Sequence, residues 1–425
     1  MNFFTPTVLG PLDLKHRIVL APMTRIRADE NTLAPTELTA LYYSQRASSG
    51  GFLISEAVHI SPEATPVWSI YPSVAELGGQ VPGIWTDEQT DAWRTVTRAV
   101  HLRGGLIACQ LLHAGRVAQP EISEHPLVKD SGLPMPSVCS SATPIRQSGE
   151  KGNDYNWDQH AVTPRALEKC EIKRICEDYQ FAAQNALSAG FDFVELHAAH
   201  GYLIEQFMAD GVNKRVDEYG GSISNRCRIL FEIVEALLDV VGNDRLGVRL
   251  SPVSSGSLCT QQYFGVSHSN PEALYEFAVK GLNRYKLAYL LLTEPRVDGL
   301  GGYQDNTPLL PPLQNMNYRE IYRGTMIGAG GFTPTSAQAA IDNGSYDLIA
   351  FGRWFLSNPD LVNRLKNGSD LNVYQRDYFY GGGEKGYTDY PDMLSLRKGV
   401  ETEYRQIPQE TIGSNLKRVS RANME

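Results

Sequence analysis

Apolar residues in this chain arrive in short runs. Eight of them recur along its length, at residues 17–21, 52–55, 106–111, 191–196, 246–250, 287–292, 325–327 and 347–350. Runs of this length suit one buried strand and are too short for a typical helix. Between most of them lie longer segments whose apolar positions return every three or four residues. Residues 87–102 follow the N-cap candidate Thr86, and residues 173–189 and 225–241 stop at Gly190 and Gly242. Residues 271–282 and 333–343 repeat the pattern, the latter opened by Thr333-Pro334 with proline in its favoured first turn. Strands that alternate with helices pair in parallel and are buried on both faces. Eight such units predict an α/β chain folded as a single (β/α)8 barrel, the TIM barrel. A doubly wound sheet is the alternative.

The spacing of the units is uneven. The third run ends near Leu112 and its helix starts only around Lys169, with Pro120, Pro126, Pro134, Pro136, Pro144 and Pro164 in between. A long, proline-rich excursion of this kind predicts a cap over the barrel mouth, at about residues 114–168. Residues 253–269 after the fifth strand and 297–314 after the sixth predict smaller lids. All three leave from the carboxyl ends of strands, the face on which barrel enzymes carry their active sites. Residues 1–393 are thus expected to form one barrel domain, and the polar residues 394–425 a C-terminal tail, partly disordered or holding one helix.

Composition narrows the function classes. With 425 residues, 42% hydrophobic and 20% charged, the chain can bury a large core. A net charge of −9 and the lack of a basic run argue against a nucleic-acid partner. Six cysteines without a C-x-x-C pair are expected as free thiols in a reducing compartment. The opening MNFFTPTVLG lacks the basic-then-apolar order of a signal peptide, and no apolar stretch reaches the ~20 residues of a membrane span. A cytoplasmic location without a membrane partner is the expectation.

Candidate chemistry gathers at the strand ends. The fourth run leads into His197, His200 and Tyr202. Two imidazoles can hydrogen-bond an oxygen that gains negative charge, and a phenol can give a proton. Helix-capping or core histidines with a packing tyrosine are the plainer reading. A metal pair is a third, although no nearby carboxylate or cysteine completes a ligand set. Gln110 in the third strand presents a donor beside an acceptor, which suits a ring edge with N–H next to C=O. Arg249 stands inside the apolar fifth strand, where a cation needs a fixed anionic or polar partner; a buried structural ion pair is the other explanation. The first strand runs into Pro22, Met23 and Thr24. Strands seven and eight end in Gly330, Gly331, Gly352 and Arg353, which let a phosphate approach backbone N–H groups with a bidentate cation at hand. Barrels often bind phosphate there. Together these residues ask for a planar, polar, phosphorylated cofactor across the barrel mouth, a description that FMN meets.

Taken with their order, the motifs resemble the old yellow enzyme family of flavin ene-reductases. They are HRIVLAPMTR from His16, GGFLISEA from Gly50, CQLLHAGR from Cys109, VELHAAHGYLIEQF from Val194 and NKRVDEYGGSISNR from Asn213. GVRLSP from Gly247, TEPRV from Thr293, GAGGFT from Gly328, FGRWFLSNPDLVNRL from Phe351 and FYGGGEKGYTDYP from Phe379 follow. The resemblance spans about residues 3–393, and the strings around Gly50, Trp85 and Phe207 look most like the plant 12-oxophytodienoate reductase branch. It implies a barrel holding non-covalent FMN, reduced by NADPH and reoxidised by hydride transfer to the β-carbon of an α,β-unsaturated carbonyl. By motif, Pro22, Met23, Thr24, Ala57, Gln110 and Arg249 resemble the flavin-ring contacts, and Gly330, Gly331, Gly352 and Arg353 the phosphate contacts. His197 and His200 resemble the carbonyl-binding pair, Tyr202 the proton donor to the α-carbon, and Tyr380 an aromatic wall of the substrate pocket. Arg215, Asp217 and Arg226 resemble a structural ion network. The implied partners are a small enone, oxylipin-like, quinone or maleimide substrate and a nicotinamide cofactor, on a monomer or homodimer.

Three features depart from the family pattern. Leu112 stands where tryptophan is usual, which should open one wall of the pocket. Residues 254–264 match no family lid, and the tail beyond Met393 is longer than usual. A metal- or Schiff-base-dependent lyase would need a third ligand or a buried strand lysine, and neither is present in the motifs. A flavoprotein with a binding or redox-sensing role is the remaining alternative.

Overall fold

In the computed structural model, the described residues are 2–65, 78–118, 125–129, 137–145, 162–253, 263–295, 297–298, 302–303, 315–398 and 403–412. Eight strands form a closed parallel barrel: β1 (Ile18–Leu20), β2 (Phe52–His59), β3 (Leu106–Leu112), β4 (Phe193–His197), β5 (Leu246–Leu250), β6 (Tyr289–Thr293), β7 (Met326–Ala329) and β8 (Leu348–Phe351). Each pairs with its sequence neighbours, and β8 closes on β1 through Ile349–Ile18, Ala350–Val19 and Phe351–Leu20. The barrel expected from alternating runs is therefore the fold, and the doubly wound alternative is excluded.

A helix follows every strand: α1 (Glu37–Arg46), α2 (Asp87–His101), α3 (Lys169–Ser188), α4 (Arg228–Val241), α5 (Pro271–Leu282), α6 (Met316–Ile321), α7 (Pro334–Asp342) and α8 (Leu361–Asn367). Their starts are written in side chains. Thr86 accepts from the Gln89 backbone while the Gln89 side chain returns to Thr86, a reciprocal cap on α2. Asn270 and Thr333 accept from the backbone of Ala273 and Ser336, each followed by a first-turn proline. Helices α1, α6 and α8 were not singled out from the sequence, since two are short and α1 has a diffuse apolar face.

The core has two layers. Inside the barrel, Val19, Phe52, Ile54, Ala108, Phe193, Tyr289, Leu291, Ile327 and Leu348 pack together, with Phe52 edge-to-face against Phe193 and Tyr289. Outside it, a continuous apolar shell joins strands to helices. An N-terminal hairpin, Thr7–Leu9 with Leu12–Leu14, puts Leu9 and Leu14 into the inner layer and floors the barrel. Its turn residue Gly10 has φ +53°, and a Cβ there would meet the Asp244 carbonyl at 1.9 Å. With the floor filled, only the carboxyl face is left open for a ligand.

Strand β2 runs four residues beyond its predicted end, with a register shift between Ile54 and Ala57. That irregularity sets Ala57 opposite Gln110. Within the expected cap, Val138–Cys139 pair in parallel with Arg165–Ala166; residues 119–124, 130–136 and 146–161 lie outside the described residues. So do 254–262 and most of 299–314 in the expected lids, and Cys259 with them. Beyond residue 393 there is a helix, Met393–Arg397, and a strand, Gln406–Ile407, antiparallel to Leu371–Asn372. Tyr404 is buried against Tyr390 with its hydroxyl on Asp389 at 2.8 Å. No helix among the described residues is long and apolar enough to cross a membrane.

Candidate active site

The carboxyl ends of the strands surround a cavity of about 380 Å³, within the range of small-molecule sites. Six strands reach it through their last two residues or the turn beyond, whereas β2 and β3 reach it through the paired Ala57 and Gln110. Pro22, Met23, Thr24, Ala57, Gln110, His197, His200, Tyr202, Arg249, Gly330, Gly331, Gly352, Arg353 and Tyr380 all line this one space. Leu112 is not among them. It is 2% exposed and paired in the sheet with His59, also buried.

The floor of the cavity is polar and interlocked. Gln110 Nε2 donates to Glu195 Oε1 at 2.5 Å, and Glu195 is completely buried. Burial raises the Glu195 carboxyl, against the pull of Arg249 and the Gln110 bond. Arg249 donates Nε–H and Nη2–H to Thr293 Oγ1 at 3.4 and 3.3 Å. The polar partner that an arginine in an apolar strand requires thus includes a hydroxyl at the end of the next strand.

The imidazoles are held neutral. Burial is the main cause that keeps His197 and His200 well below the ordinary histidine value, and Arg249 adds to it in both. His197 Nδ1 accepts the Ala199 N–H at 3.3 Å, so its own proton is on Nε2. His200 is left-handed at φ +54°, a conformation costly for most residues. Its N–H is fixed by Ser251 Oγ at 2.9 Å and the next N–H, of Gly201, by Glu205 Oε2 at 2.6 Å. Tyr202 begins the helix Leu203–Met208. Burial raises its phenol, so it is protonated at neutral pH.

The opposite side is cut back to backbone. Gly330 has φ +100°, and a Cβ there would meet Glu294 N and O at 2.9 and 2.8 Å. A Cβ on Gly352 would meet Met23 Sδ at 3.3 Å. Arg353 donates to the Tyr374 hydroxyl at 3.2 Å and lies 5.2 Å over that ring. The C-terminal segment adds Phe379 and Tyr380 as an aromatic wall, with the Arg376 guanidinium 5.9 Å over the Phe379 ring. It is pinned by Arg25, which donates to the carbonyls of Phe379 (3.0 Å) and Gly386 (2.9 Å). Arg25 also meets the rings of Tyr42 and Tyr387, which stack 4.2 Å apart at 7°.

Sequence reasoning missed Thr293, Glu195, Phe332, Trp354, Arg376 and Phe379. For Thr293 the signal was present, a hydroxyl at the last position of a barrel strand. The expected network of Arg215, Asp217 and Arg226 divides in two. Arg215 pairs with Asp217 at 2.6 Å, whereas Arg226 donates to the Met208 carbonyl and faces Asp210 at 4.0 Å.

Fold and cavity define a barrel enzyme with polar groups on one side of its mouth and a glycine-arginine cradle on the other. The ring-edge groups Thr24, Gln110 and Arg249, and the side-chain-free cradle of Gly330, Gly331 and Gly352 beside Arg353, fit FMN. Residues 2–372 match the NADH:flavin oxidoreductase / NADH oxidase family. 12-Oxophytodienoate reductase 2 of Arabidopsis thaliana is 41% identical over 92% of this chain and 96% of its own. Putative 12-oxophytodienoate reductase 11 of Oryza sativa subsp. japonica is also 41% identical, over 92% and 97%. Among solved structures, morphinone reductase in complex with tetrahydroNAD superposes with a TM-score of 0.76 at 40% identity, covering 92% of this chain and 98% of that one. The old yellow enzyme homologue from Zymomonas mobilis gives 0.77 at 38%, covering 92% and 99%. The chain belongs to the NADH:flavin oxidoreductase / NADH oxidase family, that of old yellow enzyme, and is an oxidoreductase that uses FMN and a nicotinamide cofactor.

Proposed function

We propose that the protein is an NADPH-dependent ene-reductase. The observation that carries this reading is the half-buried phenol of Tyr202, set edge to face against the ring of His197 in the cavity that Arg249 and the glycine cradle enclose. Bound FMN supplies the hydride chemistry, from NADPH to the β-carbon of an α,β-unsaturated carbonyl. Pro22, Met23, Thr24, Ala57, Gln110 and Arg249 hold its ring, and Gly330, Gly331, Gly352 and Arg353 hold its phosphate. His197 and His200 bind the carbonyl oxygen and stabilise the charge that grows on it. Tyr202 gives its proton to the α-carbon. Tyr380, with Phe379, bounds the substrate.

The substrate class is a small enone, including oxylipin-like enones such as the names of the relatives suggest, and also quinones and maleimides. The barrel domain is residues 1–393, acting in the cytoplasm as a monomer or homodimer. Anaerobic reduction of the purified protein by NADPH and by NADH, followed by reoxidation with 2-cyclohexenone, tests the reading. Flavin bands that bleach faster with NADPH and return on adding the enone are expected. Purified protein without flavin bands, or reduced protein that no enone reoxidises, would overturn it.

A further inference from the structure

The hydroxyl of Thr293 lies between two residues with different tasks in this cavity. It faces Arg249 Nε and Nη2 at 3.4 and 3.3 Å, and His200 Nε2 at 3.2 Å. A threonine hydroxyl has two acceptor sites and one proton. A guanidinium has donors only. The two N–H groups of Arg249 therefore take up the acceptor sites of Oγ1. The hydroxyl proton is left to donate, and His200 Nε2 receives it.

We infer that Thr293 is a positioning residue that sets the tautomer of His200 and ties that ring to Arg249. His200 is neutral, so with Nε2 accepting, its proton sits on Nδ1. His197 is the opposite case, with Nδ1 accepting from Ala199 and the proton on Nε2. The two rings, 5.3 Å apart at 78°, carry their protons on unlike nitrogens. Two free imidazoles side by side would interchange tautomers, and each wrong tautomer would turn a lone pair toward a ligand oxygen. Locking each ring with a neighbour removes that loss. A ligand oxygen that draws on His200 draws on Nδ1–H. The cofactor-side arginine and the substrate-side histidine then depend on one shared oxygen atom.

This inference rests on the proposed role of His200 in binding the substrate oxygen, but its first test does not. Long-range proton–nitrogen correlation spectra of the FMN holoenzyme with 15N-labelled histidine report which His200 nitrogen is protonated. Parental protein and Thr293→Ser should show Nδ1–H. In Thr293→Val the ring should lose that fixed preference. An Nε2–H signal for His200 in the parental holoenzyme overturns the inference, and needs no variant to fold.

The second test titrates a para-substituted phenol against each holoenzyme, counted per bound flavin. Loss of one directed hydrogen bond should raise the Kd of Thr293→Val about tenfold. Thr293→Ser should return it to within about twofold. Equal or tighter binding by Thr293→Val also overturns the inference. If the parental holoenzyme shows Nδ1–H yet binds no phenol, the ene-reductase reading fails and the tautomer assignment stands.

Discussion

The rings of His197 and Tyr202 meet edge to face, with centroids 5.1 Å apart and planes at 88°. A ligand oxygen held by His197 thus lies near the phenol. Tyr202→Phe keeps the ring and removes only the acidic proton. The variant should fold, hold FMN and be reduced by NADPH at nearly the parental rate. Its reoxidation by cyclohexenone should fall by about 10²–10⁴, whereas a quinone, protonated on oxygen from solvent, should reoxidise it almost as before. Stopped-flow traces of the two half-reactions decide; equal losses in both, or none with the enone, would assign the proton to another group.

Arg249 and Arg353 put fixed positive charge on opposite sides of the cavity. Charge-assisted hydrogen bonds are worth about 1.5–3 kcal/mol each. Arg353→Ala should therefore raise the Kd for FMN by about 10- to 100-fold, read from recovery of free-flavin fluorescence on dilution. Arg249→Ala should also lower the flavin midpoint potential, because the reduced ring loses a cation that stabilises its negative charge. A variant at either position purified with fully retained FMN and a parental potential would remove that residue from the cofactor site.

Leu112 is 2% exposed, so enlarging it is a substitution in a buried place. Leu112→Trp should cost about 1–3 kcal/mol of stability through overpacking, seen as a lower urea midpoint. The product enantiomer from substituted cyclohexenones should be the parental one. A stable variant with altered stereochemistry would mean that Leu112 reaches the substrate after all.

His59 offers a pH test. Burial lowers its imidazole to about 3, and its ring is hydrogen-bonded to the Pro82 carbonyl at 3.3 Å. The folded value lies below the unfolded one of about 6.5, so the unfolded chain binds the proton more readily. The contribution of neutral His59 is full above about pH 6.5 and is lost as the pH falls toward 3. The stability lost in His59→Asn should accordingly be largest at pH 7.5, shrinking by about 1 kcal/mol per pH unit below 6.5. Urea unfolding of both proteins at pH 7.5, 6 and 5 measures the difference; a gap that stays constant or widens would mean that the ring is protonated in the fold.

Much of this site can be read from the chain because a barrel delivers strand ends to one face. Gln110, His197 and Arg249 each stand at such an end, and an eight-unit rhythm is enough to bring them together. The glycines at 330, 331 and 352 were legible for the same reason. Other features depend on information no short window holds. The extension of β2 past a register shift at Ile54–Ala57, which pairs His59 with Leu112, is one of them. The flooring hairpin is built from strands of three residues, below the length at which periodicity speaks. Thr293 matters only because Arg249 and His200, from two other strands, converge on its oxygen.

The pinning of the aromatic wall by Arg25 has a consequence for the order of synthesis. Arg25 leaves the ribosome early, with β1. Its partners Tyr387, Phe379 and Gly386 leave after all eight strands. While the chain is being translated, the guanidinium has one of its two tyrosines and neither carbonyl, and the cofactor cleft has no far wall. Flavin loading is then a late event that follows release of the C-terminal segment. A message cut short just beyond β8 would yield a barrel with its cradle intact and its ring site open to water.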